Sequence, residues 1–474
     1  MTTSIDDVFI KEPLDHEGTA KCVMALYPGL YKFVKSHGWF CYNGKFWEGD
    51  AEASVSRAIV NTLRKRDEVI TTTVEDEKIA RAMKKQVMAN NWVVSGVKAR
   101  LADQEEIADT ITNFDKDNHL LNVNNGVIDL RTGDVEGHDK AQLFTYCLGI
   151  DYNQNSMCDE WLDFLTESVS VDEMADYLQI VAGYLLSGAT TEEVLFYIYG
   201  PPRSGKGTFT EVILSVMDTL ATGANFRMFT ADRTGDTQNF DMAPLKNKRL
   251  IVAGESKRNE RMNEAVLKQV TGGDNIYCAY KGRDHFSYRP HFKILLTSNY
   301  PANADPTDEA AWQRLRVIHF PHSKSGNEDK GLKNRLKSKE SLEGVLSWMV
   351  SGAIAWHESG LPLPESVKNL TKAHKLLANS VAIFIDQCCA VTDGEFSAGT
   401  PLYHAYKDWC KEEGYSPYGR KGFTMVLTDL GVDSERREVD GKTTRGFASI
   451  SYLGYGMGSE FLSKNGNSNG HEVS

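Results

Sequence analysis

The sequence predicts an α/β fold: a three-layer core around a parallel sheet, between an α-rich N-terminal region and a small C-terminal unit of helices and a hairpin. Three observations carry this. Residues 194–199 (VLFYIY), 250–253 (LIVA) and 292–296 (FKILL) are apolar runs of the kind that form strands buried on both faces, and helical text separates them. The first run ends in a glycine-rich turn at 200–208, followed by a helical stretch at 209–216. Beyond Lys375, helical stretches at 378–389, 401–413 and 423–430 precede a charged turn at 433–444 and an apolar run at 446–452, the element order of a winged helix.

Composition bounds the rest. At about 150 residues per domain, the chain of 474 residues holds about three domains. Hydrophobic residues at 41% suffice for real cores and exclude a wholly disordered chain. The net charge of −12 counts against a protein that coats nucleic acid, because phosphate binding draws on clustered Lys and Arg. A global sum, however, does not say where the basic residues lie. The eight cysteines contain no C-x-x-C pair and no zinc-type Cys/His spacing, and read as reduced thiols of a cytoplasmic protein. Residues 1–20 lack the charged-then-apolar pattern of a secretory signal, and no apolar run approaches the roughly 18–20 residues of a membrane span.

In chain order, Trp39, Phe40, Tyr42, Phe46 and Trp47 flank Asn43-Gly44, a β-hairpin signature. Residues 51–108 are charged, helix-favouring and free of Pro, whereas Gly126 and Gly133 punctuate short apolar strands within 118–152. Helical spacing returns over 160–186, with Trp161, Leu162 and Leu165, then Met174, Tyr177, Leu178 and Val181. An amphipathic helix at 342–356 is stopped by Gly360, Pro362 and Pro364. The Gly-, Ser- and Asn-rich residues 456–474 are expected to form a disordered tail.

The turn reads Gly200-Pro201-Pro202-Arg203-Ser204-Gly205-Lys206-Gly207-Thr208, the G-x-x-x-x-G-K phosphate loop between strand and helix. Its glycines let backbone N–H groups converge on phosphates, the helix N-terminus adds positive potential, and Lys206 reaches the terminal phosphates. Gly207 departs from the usual Ser or Thr, so either Thr208 offers Mg²⁺ its hydroxyl or the ion is held through water. The run 250–253 delivers Glu255 beyond its end, where an acid for Mg²⁺ or for the attacking water belongs; the plain alternative is an exposed strand-end Glu. Asn299 ends the third run as a γ-phosphate sensor or as a capping residue. Arg314 and Arg316 either stabilise transition-state charge in a neighbouring subunit or pair with Asp308 and Glu309. Tyr277, Tyr280, Lys281, Arg283, His285, Tyr288 and Arg289 interleave aromatics with cations, which suits a single strand, though a surface hairpin with ordinary tyrosines gives the same text. Residues 245–325 hold 14 Lys and Arg against 8 Asp and Glu, a net of +6.

Together NNGVIDLRTG, YLQIVAGYLLSG, GPPRSGKGTF, RLIVAGES, LKQVTGGD, FKILLTSNYP and AAWQRLRVIHF, in that order, resemble the superfamily-three helicases, most closely the phage/plasmid primase-type helicase family. The resemblance covers roughly three quarters of the chain, counting the C-terminal LYHAYKDWCKEEGY and hairpin. It implies an AAA+ core that assembles as a ring, usually a homo-hexamer, with ATP and Mg²⁺ between subunits and 3′→5′ translocation on single-stranded DNA. By position, Lys206 is the phosphate-loop lysine, Glu255 the Walker B acid, Asn299 the sensor and Arg314 the arginine finger, with Arg316 in reserve. Tyr280, Lys281, Arg283 and His285 fall on the hairpin that faces the channel. Ala279 stands where many relatives carry a basic residue, which shifts the contacts to Lys281 or Arg283, and Gln313 replaces the first of a frequent Arg pair. The expected organisation is a hairpin and helical region at 1–110, a helical collar-type region at 111–188, the ATPase core at 189–325, a helical lid at 326–374 and the winged helix at 375–455.

The expected function is replication of a phage, plasmid or mobile element, in the host cytoplasm if viral. The helical and hairpin region starts almost at once, so priming is expected from a separate primase or polymerase partner. Two alternatives stand beside it: an origin-binding initiator that uses ATP only to assemble, and a nucleoside monophosphate kinase, suggested by GPPxxGKGT.

Overall fold

The computed structural model describes residues 5–169, 172–231, 241–254, 260–281, 284–415, 417–439 and 441–454. Glu255, Arg283 and the tail 456–474 lie outside the described residues. The chain divides into two compact units, Met1–Ser156 and Met157–Ser474. Among the described residues, no helix is long and apolar enough to cross a membrane.

In the first unit the aromatic text forms the expected hairpin. Gly38–Tyr42 pairs antiparallel with Trp47–Glu48, and Asn43 closes the turn by accepting from Lys45 N and Phe46 N through Oδ1, each at 3.0 Å. Tyr31–Val34 adds a further antiparallel strand. Helices Glu52–Thr73, Glu77–Gln86 and Asn91–Ala102 occupy the charged stretch, and strands Leu120–Val123, Gly126–Asp129 and Val135–Glu136 follow.

One charge is fully buried there. Arg66, on the long helix, donates through Nε to Phe9 O at 2.9 Å and through its Nη atoms to Thr19 Oγ1 at 3.1 Å, Pro13 O at 2.9 Å and Glu12 O. It thereby fastens the N-terminal segment to the helix, and its burial draws its pKa down. Removing it leaves the buried Phe9 carbonyl and Thr19 hydroxyl without this donor.

The second unit is built on five parallel strands: β1 (Leu195–Tyr199), β2 (Ala221–Asn225), β3 (Leu250–Gly254), β4 (Lys293–Ser298) and β5 (Leu315–His319), in the order β5-β1-β4-β3-β2. The three central strands are the apolar runs of the sequence, and their cores are buried. The edge strands leave less trace in the sequence: β2 is ATGAN, with no apolar run, and β5 is LRVIH, interrupted by Arg316. Their places come from ladder bonds to inner strands.

Helices α1 (Asp159–Val169), α2 (Asp172–Leu186), α3 (Lys206–Met217), α4 (Glu309–Arg314), α5 (Lys339–Ser359) and α6 (Glu365–Leu377) surround the sheet. α2 and α5 cross at Gly183 and Gly352: a Cβ on Gly183 would lie 2.0 Å from Ala353 N, and one on Gly352 1.9 Å from Gln179 O. Only glycine allows this approach. At the C-terminus of α2, Arg249 donates to Leu186 O at 2.8 Å, and the buried Lys293 ammonium donates to Ser187 O and lies 5.0 Å over the Tyr184 ring. Both side chains meet the negative end of the helix dipole, while full burial, and secondarily Arg249, draw the Lys293 pKa well below its usual value.

The remaining segment runs helix Ser380–Cys388, strand Cys389–Ala398, helix Gly399–Glu413, helix Arg420–Asp429 and strands Ser434–Val439 and Lys442–Tyr452. Phe384, Tyr406, Trp409, Phe423 and Phe447 fill its core. The strand at 389–398 was not expected. It is polar and largely exposed, and antiparallel pairing with Lys442–Tyr452 defines it.

Arg66→Met is expected to destabilise the first unit by about 2–4 kcal/mol, through unsatisfied buried carbonyls. Denaturant unfolding of the two proteins measures this; an unchanged midpoint and slope would contradict the anchoring role.

Candidate functional site

The loop after β1 folds as a cradle. Gly205, at φ +95°, adopts a left-handed conformation just before α3. A Cβ there would lie 2.8 Å from Ser168 Oγ and 3.0 Å from the Phe164 ring, and one on Gly200 would lie 2.1 Å from Phe320 O. Both positions therefore require glycine. Ser168 Oγ is buried beside the loop without a partner among the described residues.

Lys206, the first residue of α3, turns its ammonium back into this cradle. Nζ donates to Gly200 O and Pro201 O, each at 2.7 Å, to Ser204 Oγ at 3.2 Å and to Asn299 Oδ1 at 2.9 Å. Burial lowers its pKa to about 8. The structure thus brings together Lys206 and Asn299, which are far apart in sequence.

The loop carrying Asn299 is held from its other side. Tyr197 Oη donates to Tyr300 O at 2.9 Å, and His374, on α6, accepts from Ala302 N through Nδ1 at 3.0 Å. The His374 ring meets Tyr199 edge-on at 4.7 Å, and His319 stacks on the same tyrosine at 5.4 Å. Burial, and secondarily His319, pushes the His374 pKa down to about 4. No sequence pattern pointed to this histidine, because its partners come from elements far away in the chain.

The cradle opens into a cavity of 1380 Å³. Pro202–Thr208 of the loop, Thr297, Ser298 and Asn299 form its floor, with Glu160, Asp163, Phe164 and Glu167 of α1 on one side and residues between 324 and 335 on the other. Gly200 and Pro201 present their carbonyls to Lys206, while Ser204, Gly205, Gly207 and Thr208 face the cavity.

Arg314 and Arg316 stand elsewhere. Neither is among the described residues lining the cavity. Arg314, the last residue of α4, donates to Ala310 O at 3.0 Å and pairs with Glu193 at 3.1 Å. Arg316, on the edge strand β5, donates to Gln313 O at 2.6 Å, and its burial draws its pKa down.

The basic segment is a hairpin, Ile276–Ala279 paired antiparallel with His285–Tyr288. Tyr277 is 58% exposed and stacks flat on His285 with ring centres 4.8 Å apart. Lys281 is exposed near the tip. Tyr280 is partly committed to the fold, since its hydroxyl donates to Ala243 O at 3.2 Å. Ala279 is buried, so its missing basic side chain has no exposed counterpart at this position. The exposed pair Tyr277–His285 was visible only as spacing until the hairpin register placed the two rings on one face.

A parallel α/β sheet thus carries a glycine cradle closed by a lysine at the start of the following helix. Comparison with known proteins shows what the chain is similar to. A "D5 N terminal like" description matches residues 20–170, a family of unknown function matches 198–314, and a "Poxvirus D5 protein-like" description matches 377–456. Two separate stretches, one toward each end of the chain, are therefore similar to D5 proteins. Two viral proteins each named "Putative helicase" are similar to it. L207/L206 of Acanthamoeba polyphaga mimivirus is 24% identical over 85% of this chain and 47% of that protein, and 184R of Invertebrate iridescent virus 6 is 21% identical over 76% and 45%. "Primase D5" of Fowlpox virus is 24% identical over 41% of this chain and 26% of its own length. The chain spans about half the length of the first two relatives. An apo structure of the NrS-1 C terminal region aligns over 92% of this chain and 100% of that chain, with 12% identity and a TM-score of 0.48.

The low pKa of His374 fixes a pH dependence. The unfolded chain takes up a proton near the ordinary value of about 6.5, which the folded chain refuses until about 4, so this stability is present above 6.5 and is lost as pH falls. Stability is expected to drop by about 2 kcal/mol from this group between pH 7 and pH 5. Thermal melts of wild type and His374→Gln across that range test it; parallel profiles would contradict it.

Proposed function

We propose that the chain is the ATP-dependent helicase part of a viral or mobile-element replication protein, moving 3′→5′ along single-stranded DNA as a homo-hexameric ring. The observation that carries this reading is the Lys206–Asn299 contact in a glycine cradle at the C-terminal end of a parallel sheet. The cradle suits a polyphosphate: its glycines leave room, a buried cation faces inward, and the start of α3 adds N–H groups. ATP would be held by Ser204, Gly205, Lys206, Gly207 and Thr208. Mg²⁺ would accompany the phosphates and supply charge neutralisation, with the Thr208 hydroxyl as its described side-chain candidate and Glu255 as the proposed acid. Asn299 would orient the attacking water.

Arg314 lies away from its own chain's cavity, which supports a finger directed at a neighbour's nucleotide. Tyr277, Lys281 and His285 offer a stacking face and a cation to a single strand, and Arg283 belongs to the same proposal. The order helix–strand–helix–helix–strand–strand at the C-terminus supports a winged helix, the described helices at 326–374 a lid, and the viral relatives a host-cytoplasmic replication role with a primase or polymerase as partner.

Lys206→Ala and Arg314→Ala are each expected to abolish ATPase activity, the second by about 10³–10⁵-fold. Mixing the two inactive variants should restore part of the rate; failure to recover would remove Arg314 from a trans role. A 3′-tailed fork should be unwound and a 5′-tailed fork should not. ATPase stimulated by AMP and not by single-stranded DNA would indicate a nucleoside monophosphate kinase, and tight origin binding without ATPase would indicate an initiator.

Tyr277→Ala is expected to weaken single-strand binding by about 1–3 kcal/mol. Lys281→Glu should flatten its salt dependence by about one phosphate contact. Fluorescence anisotropy from low to moderate salt reads both, and unchanged slopes would take the hairpin out of the DNA path.

A further inference from the structure

Gly207 has no structural reason to be glycine. It is not among the residues with positive φ, it lies in the first turn of α3, and a Cβ would meet a single atom within 4 Å, Lys333 Nζ at 3.7 Å. Glycine in a helix costs about 0.5–1 kcal/mol against alanine. The atom over this gap therefore bears on why it exists.

Lys333 belongs to a strap at 320–337 that lies along the mouth of the cavity. Lys324 N donates to Arg203 O at 3.1 Å and Ser323 Oγ to Pro202 O at 2.9 Å, which tie the strap to the phosphate loop. Ion pairs Arg203–Glu328, Lys324–Glu167 and Arg335–Glu160 complete the attachment. The Lys333 ammonium lines the cavity above Gly207 and pairs with Glu211, one turn further along α3, at 2.6 Å. Glu211 has a second lysine, Lys337, at 2.9 Å. Burial alone would raise the Glu211 pKa, but hydrogen bonds from Lys333 and Lys337 hold it below the usual range.

We infer that Lys333 is a second phosphate-binding lysine for the nucleotide site of its own chain, its ammonium standing over the side-chain-free face that Gly207 leaves in the first turn of α3. The inference rests on the nucleotide reading of the cavity. Among atoms outside the helix's own backbone, this ammonium is what a side chain at 207 would meet first, its Cβ at the ordinary contact distance of 3.7 Å. When a polyphosphate enters, Lys333 exchanges the Glu211 carboxylate for a phosphate oxygen. Glu211 keeps Lys337, so the exchange leaves no carboxylate without its cation. The pair is nearly half exposed, and an exposed ion pair is cheap to exchange. The ligand is a nucleoside di- or triphosphate rather than a monophosphate, because the cation faces the end of the loop that cradles the outer phosphates.

Equilibrium binding of a fluorescent ATP analogue to the full chain, with Mg²⁺ and with EDTA, tests this. Lys333→Met is expected to weaken binding on the order of tenfold in EDTA and less with Mg²⁺, with AMP binding unchanged. Lys337→Met also removes a lysine from Glu211 and should bind as wild type does, which separates phosphate binding from loss of an ion pair. Gly207→Ser should crowd the ammonium and make binding more dependent on Mg²⁺. If Lys206→Ala loses ATP while Lys333→Met matches wild type in EDTA, Lys333 is only a partner of Glu211 and the inference falls. If Lys206→Ala also binds as wild type does, the nucleotide reading of the cavity falls, and the inference with it.

Discussion

The ammonium of Lys206 is the charge around which the second unit is arranged. A buried cation must replace its lost hydration with protein oxygens. Gly200 and Pro201 turn their carbonyls inward to do so, which sets the loop's path and requires glycine at Gly200 and Gly205. The fourth oxygen belongs to Asn299, so the lysine also ties the loop after β1 to the end of β4. Tyr197 and His374 hold the following residues from the other side. The cradle lysine and the buried His374 of α6 thus hold one short segment, Asn299 to Ala302, from its two sides.

The opposite end of the sheet uses buried charge differently. Arg249, just before β3, and Lys293, at the start of β4, meet the carbonyls at the C-terminus of α2, where the negative end of the helix dipole faces basic side chains. With the glycine crossing of α2 and α5, this makes a stiff base. The mouth of the cavity is instead laced with exposed ion pairs, each worth little and readily exchanged. Fixed charges lie at the base and exchangeable ones at the mouth, an arrangement that suits a site whose ligand carries charge in and out.

The net charge of −12 is a property of the whole chain. The span 245–325 reverses it, and its hairpin stacks Tyr277 on His285 on one exposed face, with Lys281 exposed near the tip. A basic span in an otherwise acidic chain restricts where a polyanion can bind.

The sequence by itself determined the three central strands, the glycine-rich loop and the helical stretches at 160–186, 209–216 and 342–356. Each is a local pattern: a continuous apolar run, a glycine spacing, a 3.6-residue period. It also named Lys206 and Asn299 one by one. Only the tertiary structure decided that the two touch, that Ala398 ends a polar strand, that β2 and β5 close the sheet, and that His374 and Lys333 belong near the site at all. The physical reason is the same in each case. Edge strands and polar contacts are defined by their partners, and a partner a hundred residues away leaves no mark on local spacing. Gly207 is the sharpest instance: the sequence showed a missing side chain, and only the fold showed which cation stands over the gap.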